Sequence, residues 1–189
     1  MPLKLAEERR DTEGQFRAES AQAVFESIFE MYYDRVFRYV SYRVECRYTA
    51  EDLASQVFEK VLARFASFRE EKAPFEVWLF AIARNTVNDY GRQQRRRRLF
   101  SLEVLKEAVS GGKTPEALAL AGEAKDSLIQ AMSVLKPRER SILALKFGAE
   151  LKNGEIAGLA GMSESNVGVT LYRSMKKLKA ELERKDYHE

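Results

Sequence analysis

The sequence predicts an all-α chain: two small helical domains joined by a flexible linker, the C-terminal one a helix-turn-helix. Three observations lead there. Apolar residues recur at helical spacing along most of the chain, nothing alternates as a half-buried strand would, and the C-terminal pattern breaks at Ala160-Gly161-Met162 between two short helical stretches. A length of 189 residues suits one or two such domains, and a 45% apolar content suffices for their cores.

Residues 1–19 mix charges without a sustained apolar period and read as an N-terminal arm, disordered or helical only against a partner. The first domain follows, over residues 20–98. Its first helix carries Phe25, Ile28, Phe29, Tyr32, Val36, Phe37 and Val40 on one broad face. Its second opens at Thr49, a cap that Asp52 can answer, and buries Leu53, Val57, Val61, Leu62 and Phe65. Its third is the most informative stretch of the chain.

That stretch, residues 74–98, reads PFEVWLFAIARNTVNDYGRQQRRRR. Pro74 suits the first helical position, where its missing N–H has no partner to lose. Phe75, Trp78, Leu79, Ile82 and Ala83 then form a stripe that belongs in a core. Arg84, Asn85, Asn88, Asp89 and Arg92 beyond it offer donors and acceptors suited to base edges and phosphates, and Arg95, Arg96, Arg97 and Arg98 concentrate charge that calls for an anion.

Residues 99–113 are the linker, flexible at Ser110-Gly111-Gly112-Lys113, and Thr114-Pro115 starts the next helix, through Leu118, Leu128 and Met132. The second domain covers residues 114–184, with a tail at 185–189. Within it, residues 135–178 read LKPRERSILALKFGAELKNGEIAGLAGMSESNVGVTLYRSMKKL. One helix follows Pro137 with Ile142, Leu143, Leu145 and Phe147 as its apolar side; a brief one spans residues 154–159; the third opens at Ser163 and runs through Val167, Leu171, Met175 and Leu178. Gly161 supplies the positive φ that the tight turn requires. Ser163 caps the third helix, and Glu164, Ser165, Asn166, Gly168, Val169 and Thr170 form its groove-facing side, with Tyr172, Arg173, Lys176 and Lys177 toward the DNA backbone.

Composition narrows the function classes. No apolar run is long enough to span a membrane and the N-terminal MPLKLAEERRDTEGQ is charged where a leader would be apolar, so a soluble cytoplasmic protein without membrane insertion is expected. Cys46 is the only cysteine and His188 the only histidine. They cannot assemble a zinc site or a nucleophile dyad, so neither enzyme activity nor a cofactor or metal is expected, and Cys46 reads as a packed small residue.

The chain resembles a sigma factor of bacterial RNA polymerase, in the compact extracytoplasmic-function group of the sigma-70 family. Three stretches carry the likeness: FESIFEMYYDRVFRYVSYRV at residues 25–44; AEDLASQVFEKVLARF at 50–65 with WLFAIARNTVNDYGR at 78–92; and PRERSILALKF with GEIAGLAGMSESNV in the C-terminal domain. The resemblance implies that residues 20–98 act as sigma region 2 and residues 114–184 as region 4. It places Asp52, Gln56, Phe58 and Glu59 against the clamp of core RNA polymerase. Phe68, Lys72, Trp78, Arg84, Asn85, Asp89 and Arg92 would read the minus-ten promoter element and capture a flipped base, with Asn85 as the best single choice and Trp78 serving packing first. Ser163, Glu164, Ser165, Asn166, Val169 and Thr170 would read the minus-thirty-five element. Arg138 and Arg140 join Arg95, Arg96, Arg97, Arg98, Arg173, Lys176 and Lys177 as candidate phosphate contacts. The implied partners are core RNA polymerase, promoter DNA and an anti-sigma factor.

Two departures from the family pattern stand out. Lys152 replaces the usual serine cap, so the brief helix is expected to start at Asn153 as its cap. Gly168-Val169-Thr170 stands where relatives carry lysine, serine and arginine, which weakens the electrostatic grip and shifts readout toward shape and thymine methyl contacts.

Energetics says why such a chain needs a larger machine. Opening a bubble costs about 1.4 kcal/mol per base step, whereas capturing an unstacked base returns only about 1 to 3 kcal/mol. Promoter elements about seventeen pairs apart lie ~58 Å distant, and residues 99–113 extended reach roughly 50 Å, so the two domains and the linker together span the gap. Two alternatives remain open: a sigma-like decoy that binds an anti-sigma factor, which would have little use for the arginine block, and a stand-alone helix-turn-helix regulator, which would need a dimerisation element.

Overall fold

The computed structural model describes the backbone of residues 2–104 and 128–186, and the side chains of residues 22–97 and 128–184. Every regular element among the described residues is helical. In chain order, α1 spans Pro2–Ser41, α2 Arg47–Arg64, α3 Phe75–Val104, α4 Pro137–Leu143, α5 Asn153–Ala160 and α6 Glu164–Asp186. Helix α3 continues into the segment expected as linker, while Ser110-Gly111-Gly112-Lys113, Thr114-Pro115 and Leu118 lie outside the described residues. The chain forms two compact units, Met1–Asp34 and Arg35–Glu189.

The first unit is the leading part of α1. Residues expected as a separate arm are continuous with that helix from Pro2 onward. Phe25, Phe29 and Tyr33 follow at i, i+4 spacing, with ring centroids 6.4 and 4.9 Å apart, the arrangement that lets aromatic side chains one turn apart touch.

The second unit opens with the end of α1 packed with α2 and α3. Val36, Tyr39 and Val40, then Leu53, Val57, Phe58 and Val61, then Leu79, Phe80, Ile82, Ala83 and Val87 are all buried. Each Val, Leu, Ile or Phe among them contributes about 1.5 to 3 kcal/mol when fully removed from water. Helix α2 starts two residues before the expected cap. Cys46 is the extended N-cap residue and its carbonyl accepts from Ala50 N at 3.0 Å, so Thr49 lies inside the first turn. The inward row of α2 is narrower than its apolar pattern: Leu62 is 56% and Phe65 39% exposed, because Val57, Phe58 and Val61 already fill the side facing α3. Phe65 packs edge-on against Phe75 at 6.3 Å instead. Pro74 is one position outside α3, where its carbonyl accepts from Trp78 N.

In the C-terminal part, Ala131, Met132, Leu135, Leu143 and Leu178 form one cluster against which Tyr42 and Leu182 pack. Pro137 occupies the first turn of α4, and Glu139 Oε2 accepts from Lys136 N at 2.9 Å, satisfying a backbone donor at the helix start. Helix α4 widens into a π-helical turn at Ala144–Gly148, closed by Ala149 N donating to Ala144 O at 2.9 Å. Phe147 on that turn is exposed, contrary to its place in the apolar pattern. Lys152, not Asn153, is the N-cap residue of α5, and Glu155 Oε2 accepts from its N–H at 2.7 Å. Gly161 closes α5 at φ 61°, a left-handed conformation with no Cβ penalty for glycine. Ser163 Oγ then accepts from Asn166 N at 3.2 Å and starts α6.

Candidate nucleic-acid and partner interfaces

Helix α3 presents two faces that the sequence ran together. Asn85, Asp89 and Arg92, at i, i+4 and i+7, line a cleft of about 350 Å³ whose other wall is Lys60 and Arg64 of α2, with Ile82 and Thr86 at its floor. Arg84, one position away, points elsewhere: its Nη1 donates to the Leu159 carbonyl at 2.5 Å. The expected grouping of Arg84 with Asn85 therefore does not form. Asn88 also turns from the cleft, accepting from Arg43 Nη2 at 2.9 Å.

Inside the cleft, Lys60 Nζ donates to Thr86 Oγ1 at 3.0 Å, which holds the ammonium at the mouth. Arg92 hydrogen-bonds Asp89 and, with Lys60 nearby, keeps that carboxyl below its ordinary range. Asp89 is thus an anion beside three cations, and Asn85 is exposed with its amide open to both a donor and an acceptor. Lys60 and Arg64 were missed in the sequence. The signal that could have found them is their spacing, one turn apart on a helix whose opposite side is apolar.

At the N-terminal end of α3, Phe68 packs at 5.4 Å from Phe75 and 5.2 Å from Trp78, itself 5.6 Å from Phe75. Trp78 is half-buried in this group and lies seven residues before Asn85, hence on the same side of the helix. Lys72 is exposed on the preceding loop. The arrangement sets aromatic faces, an exposed amide and a cationic cleft side by side, which is what holding an unstacked base and its phosphates requires. Further along α3, Arg95, Arg96 and Arg97 are exposed, while the side chain of Arg98 lies outside the described residues.

On α2, Asp52, Ser55, Glu59 and Leu62 share the outward face, and Gln56 Nε2 donates to Asp52 Oδ2 at 2.8 Å. Phe58 does not belong to it. It is 2% exposed, turned into the core by its position one turn after Ala54, and cannot meet a partner there. Leu62 is the apolar group that this face does offer. Cys46 is exposed rather than packed, and backbone N–H of Thr49 lowers its thiol from the ordinary range.

In the C-terminal module, Ser163, Glu164, Ser165, Asn166 and Val169 are exposed at the start of α6, and Thr170 Oγ1 donates back to Asn166 O at 2.7 Å. Arg173 and Lys176 are exposed further along. Lys177 is paired with Glu139 at 2.7 Å, and Glu139 also accepts from the Lys136 N–H, so its carboxyl is held below its usual range by both. Arg138 is exposed, with Nη2 at 4.0 Å from Met162 Sδ. Arg140 is corrected: its Nε and Nη2 both donate to the Met132 carbonyl, at 3.1 and 2.9 Å, and it is spent on the fold rather than on a phosphate. Among the described residues no helix is long and apolar enough to cross a membrane, and no group of three or more His, Cys, Asp or Glu could hold a metal ion.

Comparison with known proteins bears on both modules. Residues 28–97 match the family model for Sigma-70 region 2, and residues 125–178 match that for Sigma-70, region 4. The RNA polymerase sigma factor YlaC of Bacillus subtilis (strain 168) is 31% identical over 157 residues, covering 82% of this chain and 89% of its own length. The ECF RNA polymerase sigma factor BldN of Streptomyces coelicolor is also 31% identical, over 163 residues and 86% of this chain, but the chain spans only 62% of BldN. Among solved structures, the sigma factor RpoE in complex with the anti-sigma factor NepR from Bartonella quintana superposes with a TM-score of 0.67 at 19% identity, over 84% of this chain and 96% of that one, which supports the shared fold.

Proposed function

The chain belongs to the sigma-70 family, in the extracytoplasmic-function group of RNA polymerase sigma factors, and we propose that it directs core RNA polymerase to promoters by dividing recognition between its two helical modules. The observation that carries this reading is the cleft on α3, where exposed Asn85 stands among Lys60, Arg64, Asp89 and Arg92 beside the aromatic group of Phe68, Phe75 and Trp78. Residues 20–98 take the part of region 2, melting and reading the minus-ten element through Phe68, Lys72, Trp78, Asn85, Asp89 and Arg92. Arg84 joins that set only when its bond to Leu159 is released. Residues 114–184 take the part of region 4, with Ser163, Glu164, Ser165, Asn166, Val169 and Thr170 at the minus-thirty-five element and Arg138, Arg173, Lys176 and Lys177 along phosphates. Residues 99–113 connect them.

Core RNA polymerase meets the outward face of α2 through Asp52, Gln56, Glu59 and Leu62. An anti-sigma factor competes for the same faces, a reading supported by the complex in which the structurally similar RpoE was solved. The chemistry of RNA synthesis belongs to the core enzyme. The test is run-off transcription from a promoter library with core polymerase, with and without the chain, alongside gel shifts. New start sites and specific promoter binding only when core and chain are combined is the expected outcome; promoter binding by the chain alone, or unchanged start sites, rejects the proposal.

A further inference from the structure

Helix α6 sorts its residues into two opposite rows. Val167, Ser174 and Leu178 are buried and Leu171 among them is half-buried, at the i, i+4, i+7, i+11 spacing of an inward stripe. Ser165, Val169, Tyr172 and Lys176 repeat that spacing two residues earlier, which sets them about 160° around the helix, and all four are exposed. Val169 is 44% and Tyr172 73% exposed, large apolar surface on the side away from the core. Asn166 and Arg173, seven residues apart, run beside this row and are exposed as well. Two residues that the sequence grouped with the reading face lie to either side of it. Glu164 leans back over α5, where a Cβ added at Gly154 would sit 3.6 Å from its Oε2. Thr170 is half-buried and its hydroxyl is engaged by the Asn166 carbonyl.

The chemistry of the outward row differs from end to end. No lysine or arginine stands between Ser163 and Tyr172; Arg173 is the first cation, about 15 Å along the helix from Ser163. With Lys176 beyond it and exposed Arg138 of α4 near Met162, the cations surround the row rather than occupy its centre. Such positions suit phosphates, which fix the register of a helix on a duplex but carry no sequence information. The centre, from Ser165 to Tyr172, covers about 10 Å, or three base-pair steps. Guanine shows two acceptors in the major groove, and its matched reader is an arginine or lysine, which this centre lacks. Thymine shows a C5-methyl group, whose match is an apolar side chain, and the amide of Asn166 alongside matches adenine.

We propose that Val169 and Tyr172 are the base readers of α6 and that they select thymine by its C5-methyl group, so that the base pairs under the centre of the row are A·T pairs rather than guanines read by a cation. This rests on the promoter reading given above and names the DNA that the same site takes. The test uses holoenzyme assembled from the full chain and core polymerase, with a promoter duplex recovered from the library. Each thymine of its minus-thirty-five region is replaced in turn by uracil, which removes the methyl group and leaves every hydrogen-bonding atom of the base in place. Holoenzyme binding, read by anisotropy competition at fixed salt, weakens about threefold to fivefold at the thymines under the row and stays within about 1.5-fold at the others. Val169→Ala, at an exposed position where alanine is the better helix former, abolishes the uracil penalty at one thymine, and Tyr172→Ala abolishes it at another within about three pairs. Because uracil changes the stiffness of the duplex equally for all three holoenzymes, loss of the penalty in a variant reports the contact and not the DNA.

Equal binding of thymine and uracil duplexes by the unaltered holoenzyme, a uracil penalty that persists undiminished in both variants, or a recovered element with guanines at those pairs each overturns the assignment of methyl reading to Val169 and Tyr172. Failure of the sigma-factor reading itself appears separately, as holoenzyme with the unaltered chain that recovers no promoter from the library.

Discussion

Asn85 is the residue on which the proposed promoter reading turns. Its amide is exposed at a cleft supplied with cations, and neither its neighbour Arg84 nor Asn88 shares that space. If the proposed role holds, replacing Asn85 with Ala removes a bidentate base contact worth about 1 to 3 kcal/mol and leaves the outward face of α2 untouched. Open-complex formation measured by permanganate footprinting should fall about tenfold or more, while core binding measured by native gel holds; equal loss of both would reject the assignment. Tyr39 offers a second single-residue test. Burial pushes its phenol above the ordinary range, and Arg43, Ser141 and Arg84 only partly oppose this. The folded value lies above the unfolded one, so the neutral phenol's contribution to stability is complete below about pH 10 and is lost as pH rises through the folded value. Urea midpoints followed from neutral to strongly alkaline pH should therefore decline above that point, and less steeply in Tyr39→Phe. No local pattern marks Tyr39 for this role, because what buries it lies more than a hundred residues away in the chain, at Gly148.

Among the elements, α2 separates an outward face from a core face most sharply. Phe58→Ala opens a cavity and should cost about 3 to 5 kcal/mol of stability, whereas Leu62→Asp, at a 56% exposed position, should leave the melting temperature within a degree or two of the parent. If α2 is the polymerase-docking helix, core affinity by biolayer interferometry falls for Leu62→Asp despite its intact fold. A stable Leu62→Asp chain with full core affinity would move the docking face elsewhere. The sequence period located α2 but not the width of its buried row. A period of 3.6 cannot say whether Leu62, about 100° around the helix from Val61, is inside or outside, since that depends on how much of the α3 side is already filled. Turn chemistry was more legible. Gly161 at positive φ and Ser163 as cap follow from local backbone needs, so both could be read directly. The cap of α5 was misplaced by one residue because Glu155 reaches back to the Lys152 N–H, and the side chain of Asn153 is not needed. Gly161→Ala should cost about 1 to 2 kcal/mol by forcing a Cβ into left-handed backbone, measurable as a lower urea midpoint.

At the scale of the whole molecule, the sequence gives two modules their separate identities but is silent on whether they fold as one. Residues from Arg35 onward form a single compact unit, in which Tyr42 packs on the Met132–Leu178 cluster of the second module and Arg35 bonds the Ala149 carbonyl. Sequence-local signals could not reveal this, because a carbonyl at the end of a π turn and a glycine chosen for what it faces leave no periodic trace. The consequence is cooperativity. Each module is small, so its own core supplies only a modest margin, and contacts across the boundary add to both. Calorimetry of the free chain should give one transition with a calorimetric to van't Hoff enthalpy ratio near one, as for a single cooperative unit. Gly148→Ala, by forcing the boundary apart while leaving each core intact, should split that transition in two, with the less stable module melting first. Two resolved transitions in the unmodified chain would mean that the modules already unfold independently, and that the contacts joining them contribute little to either.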